Sequence, residues 1–318
     1  PLYSSAASDV YKRQNLCQDR GMDRGRQAEI VRKLRRRYTN NAGAVILSSK
    51  HCMLRSDFDE LAFFEKRWIQ AIAAGKAARK AALAGRSAAR ALDMWVVTTD
   101  PNEPVELILP NGKAPPKKQQ PANTVYHRAR RRSATIRHFD TLRATDELTT
   151  AFEIALRHGF REGLVAMDWI LKFHADRDTV EAEMEKLGRV RGIDTLRKVV
   201  KFAVHNSRSP FESYGRAILI ERVAEHWIVN GMFAGYEVDL RRGMFVTEID
   251  GDYKYDGVTF KPTDETLRKE RRREKNLLKA GVKLLRPSPV DLLFREDEFV
   301  TDVRRLLALA EMVEKAAS

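Results

Sequence analysis

The sequence lacks the features that would place it in several common classes of protein. Its two cysteines, Cys17 and Cys52, are too few for a disulfide framework or a zinc site. It contains no uninterrupted apolar run of about 18 residues, the length that a membrane span requires, and no secretory signal is legible at its start. We therefore expect a protein of the reducing cytoplasm with no membrane partner.

Several catalytic and cofactor motifs are also missing. There is no Walker-type glycine loop, no nucleophile elbow and no dinucleotide fingerprint. The seven histidines are dispersed, and no pair of them has the spacing of metal ligands. A P-loop nucleotide site, a serine-hydrolase site and a zinc site are therefore not indicated.

Acidic residues are scarce relative to basic ones. The chain has 58 Lys and Arg against 44 Asp and Glu, a formal net charge of +14. Lys113–His138 holds eight Lys and Arg, among them Lys117, Lys118, Arg130 and Arg131, with no acid. Each such run can be a solvated face, but several together favour a polyanionic partner, because phosphate contacts release counterions. We expect that partner to be DNA.

A length of 318 residues is sufficient for two hydrophobic cores. In the first part, hydrophobic spacing predicts helices at Gln27–Tyr38, Asp57–Ala74 and Gly75–Leu92, with a short β-like segment at Ala44–Leu54. Strands are predicted at Met94–Thr98, Val105–Leu109, Thr124–His127 and Thr135–Arg137. Pro110–Pro121 is either a linker or an exposed basic loop. Four further helices are predicted at Leu148–His158, Arg161–Phe173, Thr179–Leu187 and Gly192–His205, with Asp146 and Asp178–Thr179 as N-cap positions.

The pattern changes again after Ser207–Pro210. A helix is predicted from Pro210 to about Trp227, with Ser209 as its N-cap and Pro210 in its first turn. Three strands and two helices are predicted to follow, the strands at Gly235–Leu240, Met244–Asp250 and Val282–Arg286 and the helices at Asp264–Ala280 and Val300–Lys315.

The predicted hairpin brings carboxylates together. If its turn centres between Gly243 and Met244, Asp239 lies opposite Glu248, with Cβ atoms roughly 5 Å apart. Asp250 points to the same face as Glu248, because side chains alternate along a strand. Three carboxylates at one strand end suit a hard divalent cation, and Glu212 in the first turn of the preceding helix is a candidate fourth ligand. The alternative is that these acids are scattered polar residues on a solvent-facing hairpin.

Motifs in this region resemble those of a known family. SPFES at Ser209–Ser213, VDL at Val238–Leu240, EIDGDYK at Glu248–Lys254 and RRREKNLLKAGVKLLR at Arg271–Arg286 have the order and spacing of the very-short-patch-repair-endonuclease-like domain. That domain belongs to the PD-(D/E)xK superfamily. The resemblance implies an α/β (α+β overall) protein whose residues 207–318 form a restriction-endonuclease-like domain, with a mixed sheet flanked by helices.

The resemblance also implies roles for individual residues. Asp239 matches the metal-binding aspartate, Glu248 the acid of the second strand, and Asp250 the acid of the acid-x-Asp-Gly motif. The cofactor implied is Mg²⁺ (or Mn²⁺), held by Asp239, Glu248 and Glu212. Lys254 stands where this branch commonly has a histidine, and it can orient a phosphate. Arg272 matches the basic helix residue, and we expect it and its neighbour Arg271 to contact nucleic acid.

The middle of the chain resembles proteins of the AbiEi antitoxin type. The resemblance rests on AGRSAARALDMWV at Ala84–Val96, VELILPNGKAPP at Val105–Pro116, and the helical stretches Arg161–Lys172 and Leu187–Val200. It implies an AbiEi-like α/β and then helical region at 61–206. Residues 15–60 are then the remnant of a winged helix, with Arg35 and Arg36 on a DNA-facing helix, and a cognate toxin protein is a second candidate partner.

The first residues resemble something other than protein coding sequence. Ser4–Gln14 reads SSAASDVYKRQ, which is similar to the in-frame translation of a transposase sequencing adapter. We therefore leave residues 1–14 out of the fold argument. We expect the genuine N-terminus at Met22 or upstream of the sequence given.

Together these observations favour a DNA-binding protein with a Mg²⁺-dependent endonuclease domain that hydrolyses phosphodiester bonds. The main alternative is a non-catalytic antitoxin of type IV or a transcriptional repressor that retains the nuclease fold as a scaffold. A third class, a purely structural interaction protein, is disfavoured by the basic charge.

Overall fold

The structure is a computed structural model that describes residues 22–37, 43–97, 100, 102–109, 114–128, 136–139, 142–249 and 264–317. The chain divides into two compact units, Pro1–His205 and Asn206–Ser318. Helices and three sheets of mixed or antiparallel strands occur in the described residues, which confirms the mixed α/β class. Among the predicted site residues, Asp250, Lys254, Arg130 and Arg131 lie outside the described residues.

The front unit begins with a helix and a small antiparallel sheet. Helix α1 (Arg24–Arg32) is capped by the side chain of Asp23. Strands β1 (Arg35–Arg36), β2 (Ala44–Ile46) and β3 (His51–Leu54) follow, in the order β1-β3-β2. The prediction that Arg35 and Arg36 lie on a helix is therefore wrong. The helix ends at Arg32, and these two exposed arginines pair with Cys52 and His51 of β3, so tertiary pairing overrides local helix propensity.

The predicted helix over Asp57–Ala74 is in fact two helices, α2 (Arg55–Asp59) and α3 (Phe63–Ala77). One face of α3 buries Trp68, Ile69 and Ile72 in a core that also contains Ile30 and Met53. This face provides the hydrophobic stabilisation of the first part of the unit, because burying such side chains contributes roughly 1.5–3 kcal/mol each.

A five-stranded mixed sheet forms the centre of the front unit, with the order β6-β5-β4-β8-β7. Its strands are β4 (Ala82–Leu83), β5 (Val105–Leu109), β6 (Thr124–Arg128), β7 (Ile136–Phe139) and β8 (Leu142–Thr145). The helix predicted over Gly75–Leu92 is interrupted by β4, so the prediction is wrong for the middle of this segment. Ala82 and Leu83 lie fully buried between β5 and β8, and only α4 (Gly85–Ala91) resumes the helix.

Met94–Val97 is buried but belongs to no strand in the described part of the chain, so the strand predicted there is also wrong. A set of four helices completes the unit: α5 (Glu147–His158), α6 (Phe160–Phe173), α7 (Arg177–Glu185) and α8 (Ile193–Phe202). Asp146 caps α5 as predicted, whereas α7 begins earlier than predicted, with Asp176 as its cap.

The C-terminal unit is built on a four-stranded sheet with the order β12-β11-β10-β9. Strands β9 to β11 pair antiparallel, and β12 pairs parallel with β11. Its elements in chain order are α9 (Pro210–Arg222), β9 (Ile228–Phe233), β10 (Tyr236–Arg242), β11 (Phe245–Thr247), α10 (Asp264–Lys279), β12 (Lys283–Leu285), α11 (Pro289–Phe294) and α12 (Glu296–Ala317).

The start of α9 agrees with the sequence prediction, but its end does not. The Ser209 hydroxyl accepts a hydrogen bond from the Glu212 N–H at 3.1 Å, and Pro210 occupies the first turn. The helix ends at Arg222 rather than Trp227, and the residues that follow form β9, a strand the sequence analysis missed. In the described part of the chain, no helix is both long enough and apolar enough to cross a membrane.

Helix α9 packs closely against the end of the hairpin. A Cβ atom added to Gly215 would lie 2.6 Å from the Ile249 Cδ1 atom, so only glycine allows the helix to approach this far. Val238 of β10 and Val246 of β11 pack with Leu277 of α10. These contacts fix the strand end that carries Asp239 and Glu248 next to the first turn of α9, where Glu212 lies.

Candidate active site

Polar residues form a row across one end of the four-stranded sheet. Leu240 of β10 pairs with Thr247 of β11, which confirms the predicted register of the hairpin. Extending this register by one residue places Asp239 opposite Glu248. On the other side, Val238 pairs with Gly231 and Leu240 with Val229, so Asn230 is level with Asp239. The structure therefore aligns Asn230 of β9, Asp239 of β10 and Glu248, which directly follows β11. Opposed residues of neighbouring strands have Cβ atoms roughly 5 Å apart.

Asp239 is the most electrostatically perturbed member of this row. Its Oδ2 atom accepts a hydrogen bond of 2.9 Å from the Ile249 N–H. Burial, and after it the negative charges of Glu212 and Glu248, raise the pKa of Asp239 to about 7, although the Ile249 hydrogen bond and Arg273 act in the opposite direction. The carboxyl group thus carries a negative charge that the surrounding residues compensate incompletely.

Glu212 lies at the start of α9 with almost no solvent exposure. Its Oε2 atom accepts hydrogen bonds of 2.9 Å from the Arg208 N–H and from the Asn230 side-chain amide. Burial raises the pKa of Glu212 above its ordinary value, and these hydrogen bonds oppose that effect. Glu212 is therefore a buried acid and Asp239 a partly buried one, and their charges repel each other, as the carboxylates of a cation site do.

Asn230 is a member of the site that the sequence analysis did not find. Its Nδ2 atom donates to Glu212 and to the Asn206 carbonyl, while its Oδ1 atom is buried without a hydrogen-bond partner among the described residues. Its backbone has a φ of 45°, a left-handed conformation that asparagine adopts more readily than most residues. A buried amide oxygen without a donor is a ligand of the kind that a hard cation accepts.

Glu248 is bound by two arginines. Arg273 of α10 makes a bidentate ion pair with the carboxylate, donating from Nη1 to Oε2 at 3.0 Å and from Nη2 to Oε1. Arg286, which follows β12, donates from Nε to Oε2 at 3.2 Å. Neither arginine was singled out from the sequence. Arg273 could have been found from helical periodicity, because it lies four residues before the buried Leu277 and so shares its inward face.

The donor atoms of this site fit a divalent cation in kind. Glu212, Asp239 and Asn230 supply carboxylate and amide oxygens, and the repelling charges of the two acids favour a cation beside them. Within the described ranges, however, no three His, Cys, Asp or Glu side chains are arranged as a metal-binding group. Glu248 in particular would have to leave Arg273 and Arg286 to act as a ligand.

The exposed face of α10 is strongly basic. Arg271 and Arg272 are both exposed there, on the side of the helix away from Leu277. Arg271 also shares a shallow surface depression with Glu274, Lys275, Leu278 and Lys279. This face presents positive charge to solvent, as contact with phosphates requires.

The other predicted nucleic-acid contacts belong to the front unit. Lys117 and Lys118 are exposed in a 3₁₀ turn (Lys117–Gln119), and Arg35 and Arg36 are exposed on β1. All four can reach a polyanion from solvent.

A second polar cluster in the front unit is fully satisfied by its own contacts. The buried carboxylate of Glu106 accepts hydrogen bonds from His127 Nε2 at 2.7 Å, from His158 Nε2 at 3.0 Å and from the Arg86 N–H at 3.0 Å. Burial alone would raise the pKa of Glu106, but the two histidines outweigh it and hold that pKa well below its usual range. The cluster ties β5 to β6, α4 and α5.

Comparison of the chain with family models, with curated proteins and with solved structures finds no match.

Proposed function

We propose that the C-terminal unit is a Mg²⁺-dependent endodeoxyribonuclease of the restriction-endonuclease-like class, within a DNA-binding protein. The observation that carries the proposal is the row of Asn230, Asp239 and Glu248 across adjacent strands, with Glu212 hydrogen-bonded to Asn230. The mixed four-stranded sheet between helices is the arrangement that the sequence resemblance implies. Together, these features support hydrolysis of phosphodiester bonds as the activity.

The residues divide into two roles. Glu212, Asp239 and Asn230 would hold the cation, with Glu248 as a further ligand once its arginines have moved. A bound Mg²⁺ (or Mn²⁺) would stabilise charge on the phosphodiester and lower the pKa of a water molecule. Arg271 and Arg272 would contact backbone phosphates and so position the DNA.

The charge of the chain supports DNA as the partner. The net charge of +14 lies entirely in residues 1–205, because residues 206–318 hold 20 Lys and Arg and also 20 Asp and Glu. The exposed cations nevertheless include Arg271 and Arg272 on α10 as well as Lys117 and Lys118 in the front unit. Such cations supply a sequence-independent, salt-sensitive affinity for nucleic acid. The front unit would add binding surface, in keeping with its resemblance to antitoxins that regulate transcription.

A second candidate function is favoured by one specific observation. Because Arg273 and Arg286 already neutralise Glu248, ion pairs can hold this end of the sheet together without a metal. A protein that uses the nuclease fold only as a scaffold would have this arrangement. It would then be a non-catalytic antitoxin or repressor, with a cognate toxin protein as its second partner.

Plasmid nicking distinguishes the two candidates. The chain from Asn15 onward would be incubated with supercoiled plasmid and Mg²⁺ or Mn²⁺, with EDTA as the metal-free reference. The Asp239→Asn variant tests the site, and Asp302→Asn, the same chemical change at an exposed position of α12, is the matched control.

We expect metal-dependent nicking that Asp239→Asn abolishes and Asp302→Asn retains. Intact plasmid in every reaction, combined with equal salt-sensitive retardation of DNA by wild type and Asp239→Asn, would refute the nuclease and leave the DNA-binding scaffold.

A further inference from the structure

The contacts of Glu248 resemble those of a bound anion more than those of a free metal ligand. Three hydrogen bonds from Arg273 and Arg286 reach its carboxylate, and the Arg286 Nη2 atom makes a further ion-pair contact with Oε2 at 3.0 Å. A carboxylate has about four lone-pair sites. Its acceptor capacity is therefore largely used by these two guanidinium groups.

The two arginines could hold a different anion in the same way. Guanidinium groups bind carboxylate and phosphate oxygens with the same bidentate geometry. The side chains of Arg273 and Arg286 keep 27% and 21% of their surface exposed, whereas Glu248 keeps 7%. These two side chains are therefore more accessible to an anion from solvent than the carboxylate that they bind, although the Arg286 Nη2 atom itself is buried.

Arg273 is held in position by contacts that do not depend on Glu248. Its Nη2 atom donates to the Glu237 carbonyl oxygen at 2.6 Å, and its guanidinium carbon lies 6.0 Å from the centre of the Tyr236 ring. If Glu248 moved away, for example toward a cation beside Asp239, Arg273 would remain in place with its charge uncompensated.

We propose that Arg273 and Arg286 form a clamp for a backbone phosphate of nucleic acid, and that the Glu248 carboxylate occupies this clamp in the free protein. The inference rests on the proposed function in that it takes nucleic acid as the ligand. It adds an internal competitor, since Glu248 would hold the clamp closed until a phosphate displaces it.

Removing the competitor gives the primary test. Binding of a short fluorescent DNA duplex to the full chain would be measured by anisotropy in EDTA, for wild type and Glu248→Gln. We expect Glu248→Gln to bind roughly tenfold more tightly, with a plot of log affinity against log salt that is steeper by about 2, one for each released arginine. Glu274→Gln is the local control, because Glu274 carries the same charge and adjoins Arg273 on α10 but makes only a 3.8 Å contact with Arg286.

A double variant separates the clamp from a general charge effect and from a folding defect. Arg273→Met should weaken metal-free binding of the wild type less than that of Glu248→Gln, because Glu248 competes for Arg273 only in the wild type, and it should abolish the gain in the Glu248→Gln background. Circular dichroism would confirm that each variant is folded.

Two outcomes would overturn the clamp. The first is that wild type and Glu248→Gln bind DNA with equal affinity and equal salt dependence. The second is that Arg273→Met lowers the affinity for DNA equally in the wild type and in Glu248→Gln. Because these measurements contain no metal, a clamp that fails while the wild type still nicks plasmid leaves the nuclease standing. If neither the wild type nor any variant bound DNA, both the phosphate clamp and the DNA-binding nuclease would be refuted.

Discussion

Asp239 is a partly buried acid whose one hydrogen bond among the described residues comes from the Ile249 N–H. Its pKa is raised to about 7, chiefly by burial and then by the charge of Glu212. Replacing it with asparagine keeps the size of the side chain and removes the charge. The Asp239→Asn variant therefore measures directly what ionisation of this group costs the folded protein.

The free-energy cost of ionising Asp239 in the folded protein follows from the difference between its pKa in the folded chain and its pKa in the unfolded chain. Each pH unit between an ordinary aspartate pKa of about 3.9 and the folded value corresponds to about 1.4 kcal/mol. The full difference gives an upper limit of about 4 kcal/mol, and partial exposure of Asp239 reduces this to about 2 kcal/mol.

Whether the free energy of unfolding rises or falls with pH depends on which state, folded or unfolded, binds the proton more tightly. Because the folded-state pKa is the higher one, the folded protein binds the proton between about pH 4 and pH 7 while the unfolded chain does not. The free energy of unfolding of the wild type therefore decreases as pH rises through this window and is constant above it. The Asp239→Asn variant lacks this titration.

The assay is urea unfolding in EDTA at several pH values between 5 and about 8.5. Trp227, which packs edge-on against Phe245 with ring centres 6.1 Å apart, reports the C-terminal unit by fluorescence. We expect Asp239→Asn to exceed the wild type by about 2 kcal/mol at pH 8 and by much less at pH 5. The Asp302→Asn control should follow the wild type. A variant that is no more stable than the wild type at pH 8 would show that Asp239 is not an uncompensated buried charge.

Three further predictions concern other parts of the chain. Saturating Mg²⁺ at pH 8 should stabilise the wild type by about 2–3 kcal/mol in the same assay but leave Asp239→Asn unchanged; equal stabilisation of both would place any cation elsewhere. Glu106→Gln should destabilise the front unit by about 3 kcal/mol at pH 7. Because the Glu106 pKa is lowered, this difference should shrink as pH falls below the ordinary glutamate value, and a pH-independent difference in thermal melts would contradict the assignment. Gly215→Ala should cost about 1–3 kcal/mol in thermal unfolding, because its Cβ atom would meet Ile249; an unchanged melting temperature would mean that α9 can shift.

Local signals in the sequence predicted those parts of the fold that depend on a few adjacent residues. Ser209 and Pro210 mark the start of α9, and Asp146 marks that of α5, because capping involves only one turn of chain. The hairpin register follows from the turn at Gly243, whose φ of 57° favours glycine. The opposition of Asp239 and Glu248 could therefore be derived from the order of residues alone.

Features that depend on distant parts of the chain could not be predicted in this way. Ala82 and Leu83 have good helix propensity but lie between two strands that come later in the sequence. The apolar pattern around Trp227 continues that of α9, which concealed β9 and with it Asn230. Arg273 and Arg286 reach Glu248 across 25 and 38 positions, a distance at which spacing in the sequence carries no information.

The ion pair between Arg273 and Glu248 also has a topological consequence. It joins two residues 25 positions apart, so it fixes both ends of the intervening chain independently of that chain's length. Closure entropy grows slowly, by about 0.6 kcal/mol for each doubling of the enclosed length. The entropic cost of closing this interval through the ion pair would therefore change little if the interval were longer, so the contact between the strand end and α10 is largely insensitive to length.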